Sequence, residues 1–287
     1  MIAWFLRAVR PTTRLWFDVL APLALVRMMG VDVTAPPILA AVAGILLWHA
    51  GQTFFNDLVD TATDRASPDP SRHQRALARG LVSHRRYLAA GLVTSAGAVG
   101  ISIWLGPWCA AVMLGVLLPA GLGYNFKGLS GHPQLLPFGW PLIWAAIYAY
   151  LCAAAGFAGW AQGLPYLAFV IVFMGMGEGL TQDIRDAEND RAGGRRTTVV
   201  HYGVPLTSRV ACACFAVSLV PWLLAGTASW ALYAGAAVIA AWLILALRAT
   251  RRLQTGFHYP DARLLHVGAI VAFTCVNLVV LVAPLLS

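Results

Sequence analysis

Two short stretches hold most of the acid in this sequence: Asn56 to Asp64, NDLVDTATD, and Asp183 to Asp190, DIRDAEND. Of 12 Asp and Glu residues, nine fall in or beside them: Asp57, Asp60, Asp64 and Asp69, then Glu178, Asp183, Asp186, Glu188 and Asp190. On a helix turning about 100° per residue, Asn56, Asp60 and Asp64 advance by about 40° per step, and Asp57 falls close to the same sector. By the same count Asp183, Asp186 and Asp190 lie within about 60° of one another. Each stretch therefore presents one oxygen-rich stripe. Carboxylates crowded in this way repel and need a positive partner. Neither stripe contains His or Cys, so the donors suit a hard cation, Mg2+ before Zn2+. Mg2+ held by one or two carboxylates completes its shell with phosphate oxygens and water. Two facing stripes thus suit a diphosphate bridged between metal ions, with nearby Arg and Lys neutralising the remaining oxygens.

The elements that carry these stripes belong in a membrane. The chain has 287 residues, 59% hydrophobic and only 11% charged, with a mean hydropathy of +0.71; soluble domains carry about 25% charged residues. Apolar runs of about twenty residues, enough to cross the hydrocarbon core, recur along the chain and leave no soluble-sized block between them. The expectation is an all-α integral membrane protein forming a single domain over 1–287, with no cleavable signal pattern at its start. Periodicity and length place nine helices at roughly 13–30, 36–58, 86–105, 107–124, 137–159, 164–185, 206–225, 228–248 and 264–285.

Positive charge sets their orientation. Arg7, Arg10 and Arg14 precede or begin the first helix. Arg65, Arg72, Arg75, Arg79, Arg85 and Arg86 follow the second, Lys127 the fourth, Arg185, Arg191, Arg195, Arg196 and Arg209 flank the gap after the sixth, and Arg248, Arg251, Arg252 and Arg263 follow the eighth. Alternate connections carry almost none, Arg27 excepted. The N-terminus and both acidic connections are expected on the cytoplasmic side of the cell membrane. The net charge of +8 then reflects topology rather than nucleic acid. The two acidic connections also resemble each other, each turning from acidic to basic to Gly, as a weak internal repeat. The five cysteines lie in apolar stretches and form no CxxC pair, which fits small buried hydrophobes rather than disulfides.

A solvated helix end whose acids pair with adjacent arginines accounts for one such stripe, but poorly for two matched stripes on one face. An ion or proton path is the other functional reading of intramembrane acids.

The motifs resemble those of a known family. NDLVDTATD has the form NDxxDxxxD, and DIRDAENDRAGGRRT has the form DxxDxxxD followed by a basic, Gly-containing turn. RALARG (Arg75 to Gly80) is similar to an RPLxSG stretch, with Ala76 and Arg79 as departures. YNFKGLS (Tyr124 to Ser130) is similar to a tyrosine-plus-lysine segment after the fourth helix, without its usual proline and second basic residue. Together they resemble the UbiA superfamily of intramembrane prenyltransferases over nearly the whole chain. The resemblance implies nine transmembrane helices around a central cavity capped by two polar cytoplasmic connections, and Mg2+-dependent use of a polyprenyl diphosphate. It implies Asn56, Asp57, Asp60 and Asp64 as one metal motif and Asp183, Asp186 and Asp190 as the other. Lys127 is then the basic residue near the diphosphate, with Tyr124 beside it and Arg75 and Arg79 as helpers.

The chemistry that follows is ionisation of an allylic C–O bond, with charge stabilised on the leaving diphosphate, in a pocket that excludes water. Trp48, Phe54, Phe55, Tyr124, Trp140, Trp144, Tyr148 and Tyr150 offer faces for a cation, although such residues more often fill a core or meet lipid. An aromatic small-molecule acceptor would then attack and lose a proton. Three polar residues at membrane depth could act on it: Asp18, His49, about two turns before Asn56 on nearly the same face, and Glu178, roughly one turn deeper than Asp183; the alternative is a structural role, and for His49 a hydrogen-bonded interior imidazole is the commoner case. A terpene cyclase on the same scaffold is the nearest alternative. An ion-coupled carrier is more distant, since it has no need of two Asp-rich motifs aimed at a diphosphate.

Overall fold

The computed structural model describes residues 16–66, 75–126, 136–192, 194–226 and 229–283. Every long element among them is helical. These are α1 (Trp16–Met28), α2 (Pro36–Ala66), α3 (His84–Leu105), α4 (Pro107–Asn125), α5 (Leu136–Ala154), α6 (Trp160–Ala192), α7 (Val204–Leu224), α8 (Ser229–Leu253) and α9 (Tyr259–Val282). Among the described residues seven helices are long and apolar enough to cross a membrane: α2, α3, α4, α6, α7, α8 and α9. The apolar part of α5, Gly139–Ala154, is shorter, and α1 is described over 13 residues. The expected count of nine crossings is therefore met in seven by length and composition.

Two boundaries differ from expectation in ways that matter to the site. α2 runs on to Ala66 rather than stopping near 58, because DLVDTATDRA contains neither Gly nor Pro to end it. α6 continues to Ala192 for the same reason. It is not uniformly wound: Ile171–Glu178, IVFMGMGE, adopts the wider π turn. Such segments recur at functional sites, and this one ends on Glu178, directly before the acidic stripe.

Helices in lipid gain little from hydrophobic association and rely on close fit through small residues. Gly51 of α2 faces Ser95 of α3, Gly91 of α3 faces Phe54 and Phe55, and Gly121 of α4 admits the Gln52 side chain. Gly177 of α6 packs on Phe215 of α7, and Gly268 of α9 on Trp242 of α8. The rest of the interior is aromatic. Phe169 and Phe173 of α6 meet Phe273 of α9 with ring centroids 5.9 Å apart in each case. Some buried polar groups in this core pair across helices, as Tyr166 Oη donating to Asn277 Oδ1 at 2.9 Å illustrates.

Chain order closes on itself, with α1 packed against both α2 and α9. The acidic ends of α2 and α6 lie together at one end. At the opposite end Trp104, Trp108, Phe157 and Trp160 are exposed, as aromatic side chains are at a membrane–water boundary. The five cysteines are unpaired thiols, four buried and Cys275 half-buried.

Candidate active site

Each acidic helix end is followed by a turn that folds an arginine back onto it. After α2, Arg75–Leu81 forms one tight turn: Gly80 N–H donates to Leu77 O (3.0 Å) and Leu81 N–H to Ala76 O (3.0 Å). At the end of α6, Gly194 N–H donates to Arg191 O (3.2 Å) and Arg195 N–H to Asp190 O (2.8 Å). Both pairs of bonds have the Schellman pattern, which needs a left-handed residue at its hinge. Gly80 and Gly194 supply it, with φ of +69° and +65°.

The arginines so delivered hold the carboxylates. Arg75 Nη1 lies 2.6 Å from Asp64 Oδ2 and 3.4 Å from Asp57 Oδ1. Arg195 pairs through Nη2 with Asp60 Oδ1 and, at 3.3 Å, through Nη1 with Asp190 Oδ1. That guanidinium joins the first motif to the second, across 135 positions of sequence. The two stripes thus meet at one end of the bundle, as their placement on a common face requires.

The first motif divides between two neighbours. Asn56 Nδ2 donates to Asp60 Oδ2 at 3.2 Å, on the side facing α6. Asp57 instead turns towards α3, where Tyr87 Oη donates to its Oδ2 at 2.8 Å within a small core of Phe54, Ala76, Leu77 and Val82. Tyr87→Phe is expected to destabilise the protein by about 1.5–3 kcal/mol, the value of a hydrogen bond to a charged group. Its effect on donor affinity should be smaller than that of losing Asp60, and a melting curve beside a binding isotherm checks both.

In the second motif Asp186 is half-buried and pairs with Arg185, Nη2 to Oδ2 at 2.8 Å. Asp183 and Asp190 are buried. Asp183 Oδ2 is buried without a hydrogen-bond partner among the described residues. Leaving a buried carboxylate oxygen unpaired is costly, so a cation is the fitting occupant. Among the described residues no three His, Cys, Asp or Glu side chains converge as a ready-made cage. Arginine side chains already occupy the spaces between Asp60 and Asp190 and between Asp57 and Asp64. The donor set still fits Mg2+, which takes few protein carboxylates and fills its shell with water and phosphate.

Deeper in the bundle, two imidazole–carboxylate pairs complete the polar set. His49 Nδ1 of α2 is 2.7 Å from Asp18 Oδ2 of α1. His266 Nδ1 of α9 is 2.9 Å from Glu178 Oε1 of α6, without the alignment of a regular hydrogen bond. Tyr124 is half-buried against Trp140, ring centroids 5.5 Å apart. Of the residues singled out in the sequence, Asp60, Asp190, Asn56, Asp57, Asp64 and Arg75 come together around the two arginine turns. Arg79 is exposed, on the outer side of its turn, and Lys127 and Asp69 lie outside the described residues.

Sequence reasoning missed three members. Arg195 entered only as a topology charge, although its place one residue after Gly194 marks a chain reversal. His266 is an imidazole in the middle of an apolar helix, a signal available in the sequence. Tyr87 carried no signal, because its partner is set by how α3 packs on α2.

Among the described residues, seven apolar helices long enough to cross a membrane, with acidic helix ends neutralised by arginines at one end of the bundle, define a class: a polytopic all-helical membrane protein. The model of the UbiA prenyltransferase family matches residues 19–256, and the chain belongs to that family. Among curated relatives, digeranylgeranylglyceryl phosphate synthase of Natronomonas pharaonis is 31% identical over 173 residues, and that of Halobacterium salinarum is 33% identical over 169 residues. Each match covers 57% of this chain and 56% of the relative, so the chain spans little more than half the length of the curated relatives it matches. The fold is shared with an apo UbiA homolog from Aeropyrum pernix K1, at a TM-score of 0.71 and 17% identity over 94% of this chain and 98% of that one. It is shared too with a UbiA homolog from Archaeoglobus fulgidus bound to GPP and Mg2+, at 0.66 and 16% over 96% and 99%.

Proposed function

We propose that this chain is a Mg2+-dependent intramembrane prenyltransferase that moves a prenyl group from a prenyl diphosphate to an aromatic acceptor. The observation that carries the reading is the meeting of Asp60, Arg195 and Asp190, which brings two acidic motifs and a cation to one point. Asn56, Asp60 and Asp64 would hold Mg2+ from α2, and Asp183, Asp186 and Asp190 from α6. The bound metal supplies Lewis-acid stabilisation of the leaving diphosphate. The chain's own share is electrostatic and positional. Arg75 and Arg195 are placed to shift from carboxylate to phosphate oxygens, which their planar donor forks match well. Lys127 and Arg79 are further candidates for the same oxygens. The Tyr124–Trp140 pair offers π faces to an allylic cation, and the aromatic packing of α6, α7 and α9 excludes water. Asp57, expected from the sequence as part of the metal motif, is turned to Tyr87 and lies 3.4 Å from Arg75, so its proposed role is to help Asp64 hold that arginine.

The name shared by the two curated relatives, digeranylgeranylglyceryl phosphate synthase, favours a second acceptor, a glyceryl phosphate lipid. Both acceptors, and the cyclase alternative, are resolved by one assay. Purified protein is incubated with Mg2+ and prenyl diphosphates of increasing length, alone, with aromatic acids, or with glyceryl phosphate lipids, and products are identified by mass spectrometry. Prenylated aromatic product is expected. Prenylated glyceryl phosphate alone would replace the acceptor, cyclic hydrocarbon without acceptor would replace the reaction, and no diphosphate release under any condition would overturn the reading.

The site is proposed to open to the cytoplasm, as the arginine distribution indicates. Single cysteines replacing exposed Leu81 and Ala192, in a background without the native five, should resist a membrane-impermeant maleimide in intact cells and react after permeabilisation. Labelling of intact cells would invert the topology.

A further inference from the structure

Prenyl transfer to a protic acceptor leaves a proton to be removed; among the described residues the arginines at the helix ends stay charged, and Asp57, Asp60, Asp64, Asp186 and Asp190 are paired with them. We propose that His266 is the proton acceptor, with Glu178 as its positioning residue, in an acceptor subsite roughly one turn deeper than the metal motifs. This rests on the prenyltransferase reading above.

Both side chains are buried, each 8% exposed. His266 sits in α9, a 24-residue helix apolar enough to cross a membrane, where a polar side chain is costly to keep. The carboxylate that meets it is the last residue of the π-wound segment, so the departure from α geometry ends where Glu178 reaches across to α9. Glu178 precedes Asp183 by five residues on the same helix, about 7.5 Å along its axis, and α9 packs on both the π-wound stretch and the acidic stretch that follows it, so the pair lies just below the second acidic motif. Glu178 Oε1 lies 2.9 Å from His266 Nδ1, close enough to stabilise an imidazolium electrostatically and to draw Nδ1–H into a hydrogen bond when the ring is protonated, which leaves Nε2 to take the proton.

The step balances. The allylic C–O bond breaks and its electron pair leaves on the diphosphate. The acceptor's nucleophilic atom donates a pair to the carbon, and the proton of that atom passes to His266 Nε2, from which it returns to solvent after product leaves. No oxidant or further reactant is needed. The acceptor class that follows is one that surrenders a proton at the bonding atom: a phenolic ring or an alcohol.

Removing this base should uncouple the two halves of the reaction. Full-length wild type, His266→Gln and Glu178→Gln are compared with Mg2+ and geranyl diphosphate carrying 18O at the bridging position, and with hydroxybenzoate and glycerol phosphate lipid as acceptor probes. Scrambling of the label reports ionisation without acceptor; the ratio of prenylated product to diphosphate released reports proton removal. That ratio is independent of how much of a variant folds. In His266→Gln scrambling should persist while product formation falls about a hundredfold or more, the usual share of a general base. Glu178→Gln should show a smaller fall in the same ratio. Equal coupling in His266→Gln and wild type would overturn the assignment, as would loss of scrambling together with product, which would make the pair part of the diphosphate site. Loss of coupling in His49→Gln with His266→Gln unaffected would move the role to the Asp18 pair. Wild type that releases no diphosphate would instead overturn the prenyltransferase reading itself.

Discussion

Asp60→Ala and Asp183→Asn are each expected to lower prenyl transfer by roughly a hundred- to a thousandfold, the cost of losing one preorganised group that stabilises developing charge. Their effects on stability should differ in sign. Asp60 is held by Asn56 and Arg195, so its removal leaves a guanidinium with one fewer partner and should lower the melting temperature. Asp183 is buried with an oxygen that has no hydrogen-bond partner among the described residues. Neutralising it removes the cost of burying an acid there, so Asp183→Asn should melt higher than wild type in EDTA. In wild type Mg2+ should raise the melting temperature, and in Asp183→Asn this gain should shrink. A variant that is destabilised in EDTA yet still turns over would mean that Asp183 serves packing rather than metal.

Arg195→Ala is expected to give the second large effect. Its guanidinium lies between Asp60 and Asp190, and without it two buried carboxylates repel across the gap between α2 and α6. Breaking a fully buried ion pair costs about 3–5 kcal/mol; with Arg195 still partly exposed, about 2 kcal/mol is the expected loss in metal-free protein. A divalent cation can take over that neutralising role. Mg2+ should therefore stabilise Arg195→Ala more than wild type, since a ligand that binds only the folded state adds stability in proportion to its affinity. Donor affinity should fall, because a phosphate-pairing fork is gone. Melting curves with and without Mg2+, beside titration with geranyl diphosphate, measure both. If Mg2+ stabilises the variant no more than wild type, Arg195 does not occupy the metal's side of the site.

What the sequence determined by itself was local and periodic. A chain this apolar has no stable place in water, and the roughly 3.6-residue repeat placed Asn56, Asp60 and Asp64 along one side of α2 and Asp183, Asp186 and Asp190 along one side of α6. Two acidic helix ends separated by an even number of crossings had to share a face. Helix ends were less legible: α2 was expected to stop near 58, because the apolar run ends there, whereas the backbone continues to Ala66 wherever nothing breaks it. Tertiary structure decided which charge meets which. Asp57 and Asp60 are three residues apart, yet one turns to Tyr87 and Arg75 and the other to Arg195. The wheel position separates them by about 60°, and the packing of α3 on α2 captures the first. Likewise Glu178 gains His266 only because α9 packs beside the π-wound part of α6. Periodicity fixes the direction in which a side chain leaves its own helix, but the partner it finds depends on which other helix the fold places there.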